Sequence, residues 1–397
     1  MARVVLSSVL DPPMLERAVC TDSATRLHEV EPPSVRPPRA VVAIPARDEE
    51  ERIEACLSAL LAQRREHGAA DVGLVLLANN CRDATVRRAR RLLASSDMPH
   101  RVMSVSLPSE RASAGAARAL ALDIASLWIG RGEGALLTTD ADSRVGPDWI
   151  VRNLAGLRGA CGAVAGRFVF DPAEAALLPR HLARRRRVEA AYEAALLALA
   201  ARLDPQPHDP WPNHWTDSGA SFALTLSAYR RIGGLPAVAC GEDRALAAAL
   251  ARHDIPIRHD PDIVVTTSAR LEGRAARGCA ATLRERCDDR ATPGDERLEA
   301  LPVALRRMGL RARLRRAFGT GFRPGEWERR LGLRAGTLSG AASLRFGEAW
   351  ARAEALSPLL RPLPLRPEEM EHHLAAAHRL LARLPAPGEA LSSDQQV

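Results

Sequence analysis

The sequence predicts an α/β fold, a Rossmann-like and mostly parallel sheet flanked by helices, followed by an α-helical C-terminal region. Three observations predict it. Short apolar runs alternate with helix-period segments from Ala40 to Phe170, polar residues gather just after several of those runs, and strand signals stop beyond about residue 273. Arginine- and alanine-rich helical text then continues to Leu384.

A chain of 397 residues exceeds the usual span of one compact domain, so one large domain with additions, or two domains, is expected. The boundaries read as an N-terminal extension over 1–39, an α/β core over 40–274 and a helical region over 275–397. Proline crowds "EVEPPSVRPPRA" just before the first strand signal and marks a stiff linker. The expected strands are Ala40 to Ile44, Val72 to Leu77, Arg101 to Val105, Ala135 to Thr139 and Ala163 to Phe170. Between the first two, Ile53, Leu57, Leu60 and Leu61 recur on one helical face, and Leu120, Ile124, Leu127 and Trp128 repeat that spacing later. Such alternation implies right-handed crossovers, with ligands at the carboxyl ends of the strands where the winding reverses. No fixed-period repeat is present, and the closing "APGEALSSDQQV" reads as a frayed end.

Composition narrows the classes. With 46% hydrophobic and 26% charged residues the chain is globular, neither disordered nor fibrous. It contains no lysine, so its net charge of +8 comes from arginine alone. The dense patches "HLARRRRVEA" and "LRARLRRAF" read as solvated helix faces. The aromatic and glycine patterns of RNA-reading modules are missing, so no nucleic-acid partner is expected. Seven cysteines form no C-x-x-C pair and no zinc-spaced cluster, and reduced, packed thiols are expected. Pro12 and Pro13 interrupt the opening residues before any leader pattern develops, and no apolar run reaches the roughly 20 residues of a bilayer span. A cytoplasmic protein with no transmembrane segment is expected.

The stretch "ALLTTDADSRVGPDW" ends a strand on two carboxylates, Asp140 and Asp142, whose mutual repulsion calls for a cation or solvent. Such a pair can hold a hard divalent ion, work as acid and base, or cap a turn. "IPARDEEERI" and "LLANNCRDAT" put further polar residues at two other strand ends. Asn79, Asn80 and Asp83 match the edge of a nucleobase, or simply form a turn. Ser113 and Gly115 open a helix, where free N–H groups suit a phosphate and Ser113 suits plain capping. Glu242 and Asp243 also start a helix, as catalytic acids or as partners of its dipole. Trp211 and Trp215 are candidate sugar-stacking walls or loop packing. His208 and His214 lack a zinc spacing.

The order of these segments, "IPARDEEERI", "DAD", then "GASFALTL", "GGLP" and "GEDRAL", resembles the family 2 type of nucleotide-sugar glycosyltransferases of the GT-A fold, over about Ala40 to Arg274. The resemblance implies that Pro45, Ala46, Arg47 and Glu49 lie near the nucleotide. It puts Asn80 where the family usually has an aspartate contacting the base, a departure that leaves the nucleobase open. It implies that Asp140 faces the ribose and the metal, that Asp142 binds a Mn2+ or Mg2+ bridging the diphosphate, and that Asp243 is the general base, with Glu242 shaping the acceptor site. His259 is a candidate third metal ligand, and Arg270 and Arg274 are candidate diphosphate clamps.

The expected function is therefore metal-dependent, inverting transfer of a sugar from a nucleotide diphosphate to an acceptor hydroxyl whose identity stays open. The alternatives are a retaining GT-A enzyme acting on a small phosphorylated acceptor and a non-catalytic basic binding protein. The C-terminal helices serve either to cover the acceptor site or to form a homodimer.

Overall fold

The computed structural model describes residues 26–29, 37–67, 71–109, 111–274, 278–339 and 344–385. The end read as frayed, residues 386–397, lies outside them, as do most residues of the N-terminal extension.

Nine strands form one sheet. They are β1 (Arg26–Glu29), β2 (Ala40–Ala46), β3 (Val72–Asn79), β4 (His100–Ser106), β5 (Ala135–Thr138), β6 (Ser143–Val145), β7 (Ala163–Phe170), β8 (Phe222–Thr225) and β9 (Ile257–Thr267), in the spatial order β1-β4-β3-β2-β5-β8-β7-β9-β6. The predicted α/β class holds, and all five expected strands form. β4, β3, β2 and β5 run parallel, with a helix in each crossover from β2 to β5, and every residue of β3 is buried, as a sheet covered on both faces requires. The remaining strands make the sheet mixed. β8 lies antiparallel to both β5 and β7, β7 and β9 are parallel, and β6 and β1 close the two edges antiparallel to β9 and β4. The sequence read β1 only as part of an extension, because four residues without apolar alternation carry no strand signal.

The helix Ile53–His67 fills the first crossover and packs Ile53, Leu57 and Leu60 into the main core with Val42, Ile44, Leu74 and Leu76, all inaccessible to solvent. The helix Ala114–Ile129 fills the crossover from β4 to β5.

The chain divides into two compact units. The first runs to Ala175 and adds Thr216–Ala249 and Ile257–Ala281; the second comprises Ala176–Trp215, Leu250–Pro256 and the chain from Thr282 onward. The contiguous 40–274 core of the sequence reading is thus interrupted. The reason is the helix Arg180–Leu203, whose Tyr192, Leu196 and Leu199 build a core with Leu298, Leu301 and Met370 of the C-terminal region. A further cluster in that unit joins Leu314, Trp327, Leu331 and Trp350. Among the described residues no helix is long and apolar enough to cross a membrane.

Candidate active site

The sheet's topology gathers the candidate residues within the first unit. β5 ends at Thr138, opposite Phe222 at the start of its antiparallel neighbour β8, so the turn Ser218–Ser221 lies beside the strand end that leads into Asp140. β6 pairs Ser143 with Thr267 at the end of β9, which brings the segment after β9 to Asp142.

Arg118, a residue the sequence reading passed over, connects the two groups of acids. Its buried guanidinium donates from Nη2 to Asp140 Oδ1 at 2.6 Å, from Nε to Glu242 Oε1 at 3.2 Å, and from Nη1 to Thr138 Oγ1 and the Gly219 carbonyl at 2.8 and 3.0 Å. Burial works against its charge, but Asp140 and Glu242 outweigh burial and raise its pKa. Gly219 is required for this approach, since a Cβ there would lie 2.4 Å from Arg118 Cζ. The amide of Gly219 donates to Asp243 Oδ2 at 3.2 Å, and Asp243 Oδ1 accepts from the Arg244 amide at 2.8 Å in the first turn of the helix Glu242–Arg252. Burial is the main influence on Asp243 and raises its pKa, with Glu242 adding to the effect and the amide of Arg244 opposing it. The signal for Arg118 was present: it and Asp123 are the only charges in the apolar helix Ala114–Ile129, and Asp123 is likewise held, accepting from the Tyr229 hydroxyl at 2.6 Å.

Arg270 organises the other side. It donates to both oxygens of the buried Glu49, at 2.8 and 2.5 Å, and Nη2 lies 2.9 Å from Asp142 Oδ2. Glu174 fixes the turn that carries it, accepting from the Ser268 hydroxyl and the Ala269 amide at 2.6 and 2.7 Å. Asp142 is pushed up to about 6, first by burial and then by Asp140, with Arg270 pulling it back.

Other candidates have different surroundings from those the sequence suggested. Asn80 has a left-handed backbone, φ 54°, and its amide both donates to and accepts from the backbone of Leu107, at 2.9 and 3.1 Å. Those bonds link the ends of β3 and β4. Asp83 is tied similarly, accepting from the amides of Glu50 and Thr85. Ser113 caps its helix by accepting from the Ala116 amide at 3.1 Å, and Gly115 gives room to Glu242, whose Cβ would lie 3.1 Å from a Cβ at that position. Arg47 and Arg274 donate to the carbonyls of Ala112 and Asp48, at 3.0 and 2.7 Å. Pro45 and Ala46 end β2.

His259 Nε2 lies 3.3 Å from Asp217 Oδ1, and His259, Asp140 and Asp142 do not converge as ligands. Among the described residues the group with ligand spacing is Asp48, Cys81 and Asp83. β9 holds His259 opposite Ala165 on β7, whereas β6 pairs with the far end of β9. Asp48 Oδ1 accepts from the Arg82 amide at 2.7 Å and the Asp48 amide donates to Cys81 Sγ at 3.4 Å, so that group joins the loops after β2 and β3. Trp211 and Trp215 belong to the second unit, where the Trp215 ring lies 5.3 Å from the guanidinium of Arg297 and Trp211 is 37% exposed.

The first unit thus sets an acidic D-x-D after one central strand of the sheet and joins it, through one arginine, to a Glu–Asp pair that opens a helix. Residues 41–200 match the family model described as Glycosyl transferase family 2. No curated protein matches the chain. Among solved structures, similarity extends to a mannosyltransferase from Pyrobaculum calidifontis in complex with GDP-Man and Mn2+, 17% identical, covering 91% of this chain and 80% of that one at a TM-score of 0.43. It extends also to TarS residues 1–349 from S. aureus in complex with UDP-GlcNAc, 13% identical, covering 87% and 90% at 0.44. A third is glucosyl-3-phosphoglycerate synthase from Mycobacterium tuberculosis in complex with Mn2+, UDP and phosphoglyceric acid, 18% identical, covering 73% and 88% at 0.38.

Proposed function

We propose that the protein transfers a sugar from a nucleotide diphosphate to an acceptor hydroxyl with inversion, using a divalent cation, Mn2+ or Mg2+. The observation that carries this reading is the single guanidinium of Arg118, which holds Asp140 on one side and Glu242, next to Asp243, on the other. It supports a division of labour between acids that meet a leaving group and acids that meet an acceptor.

The donor set suits a hard cation. Burial raises Asp142, Asp140 and Glu49 add to that, and Arg270 and Arg52 oppose it, so a cation beside these three carboxylates would be met by oxygen ligands whose charge the site already disfavours. Asp142 and Asp140 would hold the ion, and Arg270 would keep its paired bonds to Glu49 while yielding its contact with Asp142. When bound, the cation stabilises negative charge on the departing diphosphate. Asp243 takes the acceptor's proton. The Gly219 and Arg244 amides orient its carboxylate, and its raised pKa brings it nearer the working range of a general base. Glu242, anchored by Arg118, shapes the space beside it. One base facing the acceptor and one ion facing the leaving group favour in-line displacement, hence inversion.

The test is Asp243→Asn, which should keep donor binding and lose transfer by roughly 100- to 10,000-fold. Normal transfer by this variant would remove Asp243 from the role of base. Anomeric-proton NMR of the product separates inversion from retention.

A further inference from the structure

We infer that the second unit carries a docking surface for an anionic lipid bilayer, formed by the loop from Leu356 to Leu365 and the turn around Gly332. This surface lies outside the transfer reaction and does not depend on it.

Large apolar side chains scattered singly over a surface are ordinary, whereas several gathered together mark an interaction site. Leu356, Leu359 and Leu363 are 63%, 41% and 57% exposed, the densest such group among the described residues. The loop that carries them is well anchored. Leu360 and Leu365 are buried in two different apolar clusters, and Arg307 Nη2 donates to the Leu360 carbonyl at 2.8 Å. The Ala300 amide donates to the Leu363 carbonyl at 3.3 Å and the Leu365 amide to the Leu298 carbonyl at 2.9 Å. Pro358, Pro362 and Pro364 restrict the backbone between these anchors. The fold itself therefore holds the leucines out in water.

Charge decides what covers them. Residues 301–385 contain 16 arginines against 7 glutamates and no aspartate, a surplus greater than the +8 of the whole chain, so the summed field over this region attracts anions. Part of that surplus lies beside the leucines. Arg361 stands between Leu359 and Leu363 in the chain. Ser357 Oγ donates to the Leu331 carbonyl at 2.6 Å, and a Cβ on Gly332 would lie 3.3 Å from Pro358 Cγ, so the leucine loop abuts the turn flanked by Arg329 and Arg334. Arg329, Arg334 and Arg361 are exposed, and among the described residues none of the three has an ion-pair partner. The nearest acids are already engaged. Glu326 pairs with Arg330 at 2.7 Å and Glu354 with Arg307 at 3.3 Å, while Glu328 is buried and accepts from the amides of Gly336 and Leu338.

Aliphatic tips set among unpaired guanidinium groups match the boundary of an anionic bilayer, where leucines enter the acyl region and arginines meet lipid phosphates. A nucleic acid would engage the arginines and leave the leucines in water. A second copy of this surface would bring like charges together.

The experiment is co-sedimentation of the full chain with vesicles of phosphatidylglycerol and phosphatidylcholine, beside vesicles of phosphatidylcholine alone and a titration with a short RNA duplex. Binding to the anionic vesicles is expected, at least about tenfold stronger than to the neutral ones and weakened by salt. Leu359→Ser combined with Leu363→Ser should weaken it by about tenfold, with Tm unchanged because both side chains already face water. Arg329→Gln combined with Arg334→Gln should weaken it by a similar factor, about tenfold, and flatten the salt dependence. Unchanged affinity in the leucine variant would mean adsorption by charge alone and overturns the proposal, as does equal binding to neutral vesicles or binding to neither. Binding of the RNA duplex without vesicle binding overturns it in favour of a nucleic acid. A dimer that light scattering shows to be broken by the leucine substitutions, again without vesicle binding, overturns it in favour of a second copy.

Discussion

Arg118 Nη2 lies 2.6 Å from Asp140 Oδ1, and the same guanidinium reaches Glu242 at 3.2 Å, so two acids 102 positions apart in sequence share one buried cation. Removing it leaves two carboxylates facing each other without compensation. Arg118→Met should therefore destabilise the fold by about 3–5 kcal/mol, measured by denaturant unfolding. A loss well under that figure would mean that Asp140 and Glu242 find other partners.

Gly219 makes room for that arginine. Gly219→Ala would set a methyl against the guanidinium, which is held at four points and cannot swing aside freely. The expected cost is about 1–3 kcal/mol, read as a lowered Tm.

Asp142 couples stability to pH in a defined direction. Its folded pKa of about 6 stands above the ordinary 3.8, so the folded state binds this proton more tightly than the unfolded chain. Its contribution to stability is fully present below about pH 4 and is lost as pH rises to about 6. Asp142→Asn should thus raise the Tm of the metal-free protein near neutral pH and leave it little changed near pH 4. Added Mn2+ should stabilise the wild type more at about pH 7 than at pH 5, where the proton competes, and should lose most of its effect in the variant. Equal stabilisation of both proteins by the ion would place it elsewhere.

Asp243, if it is the base, should give the rate an acid limb above the usual carboxylate range, because its pKa is raised. Activity should fall as pH drops through that value. Glu242→Gln should move the limb to lower pH, since Glu242 is one of the charges raising Asp243.

Ser113 offers a contrast between capping and phosphate binding. As a cap, its loss in Ser113→Ala should cost about 1 kcal/mol of stability without altering donor affinity. A changed affinity for the nucleotide donor would return Ser113 to the binding site.

The parallel half of the sheet was legible because a strand buried on both faces must be apolar along its length, and "AVVAI" and "VGLVLL" are. The D-x-D pair and the Glu–Asp helix start were legible as charges placed directly against apolar text. β1, β6 and β8 were not, being too short for a period to show, nor was β9, whose first half is polar, and neither was the interruption of the core by residues 176–215.

By itself, then, the sequence determined the α/β class, five of the nine strands and the residue types at their ends, since local periodicity and burial depend on neighbours along the chain. Tertiary structure alone decided that Arg118 would serve Asp140 and Glu242, that Arg270 would bind Glu49 and Asp142, and that Asn80 and His259 would face Leu107 and Asp217. Those pairings join residues that only the order and direction of strands bring together. Charge and hydrogen-bonding capacity are written in each residue, but the partner that satisfies them is fixed by the folded sheet.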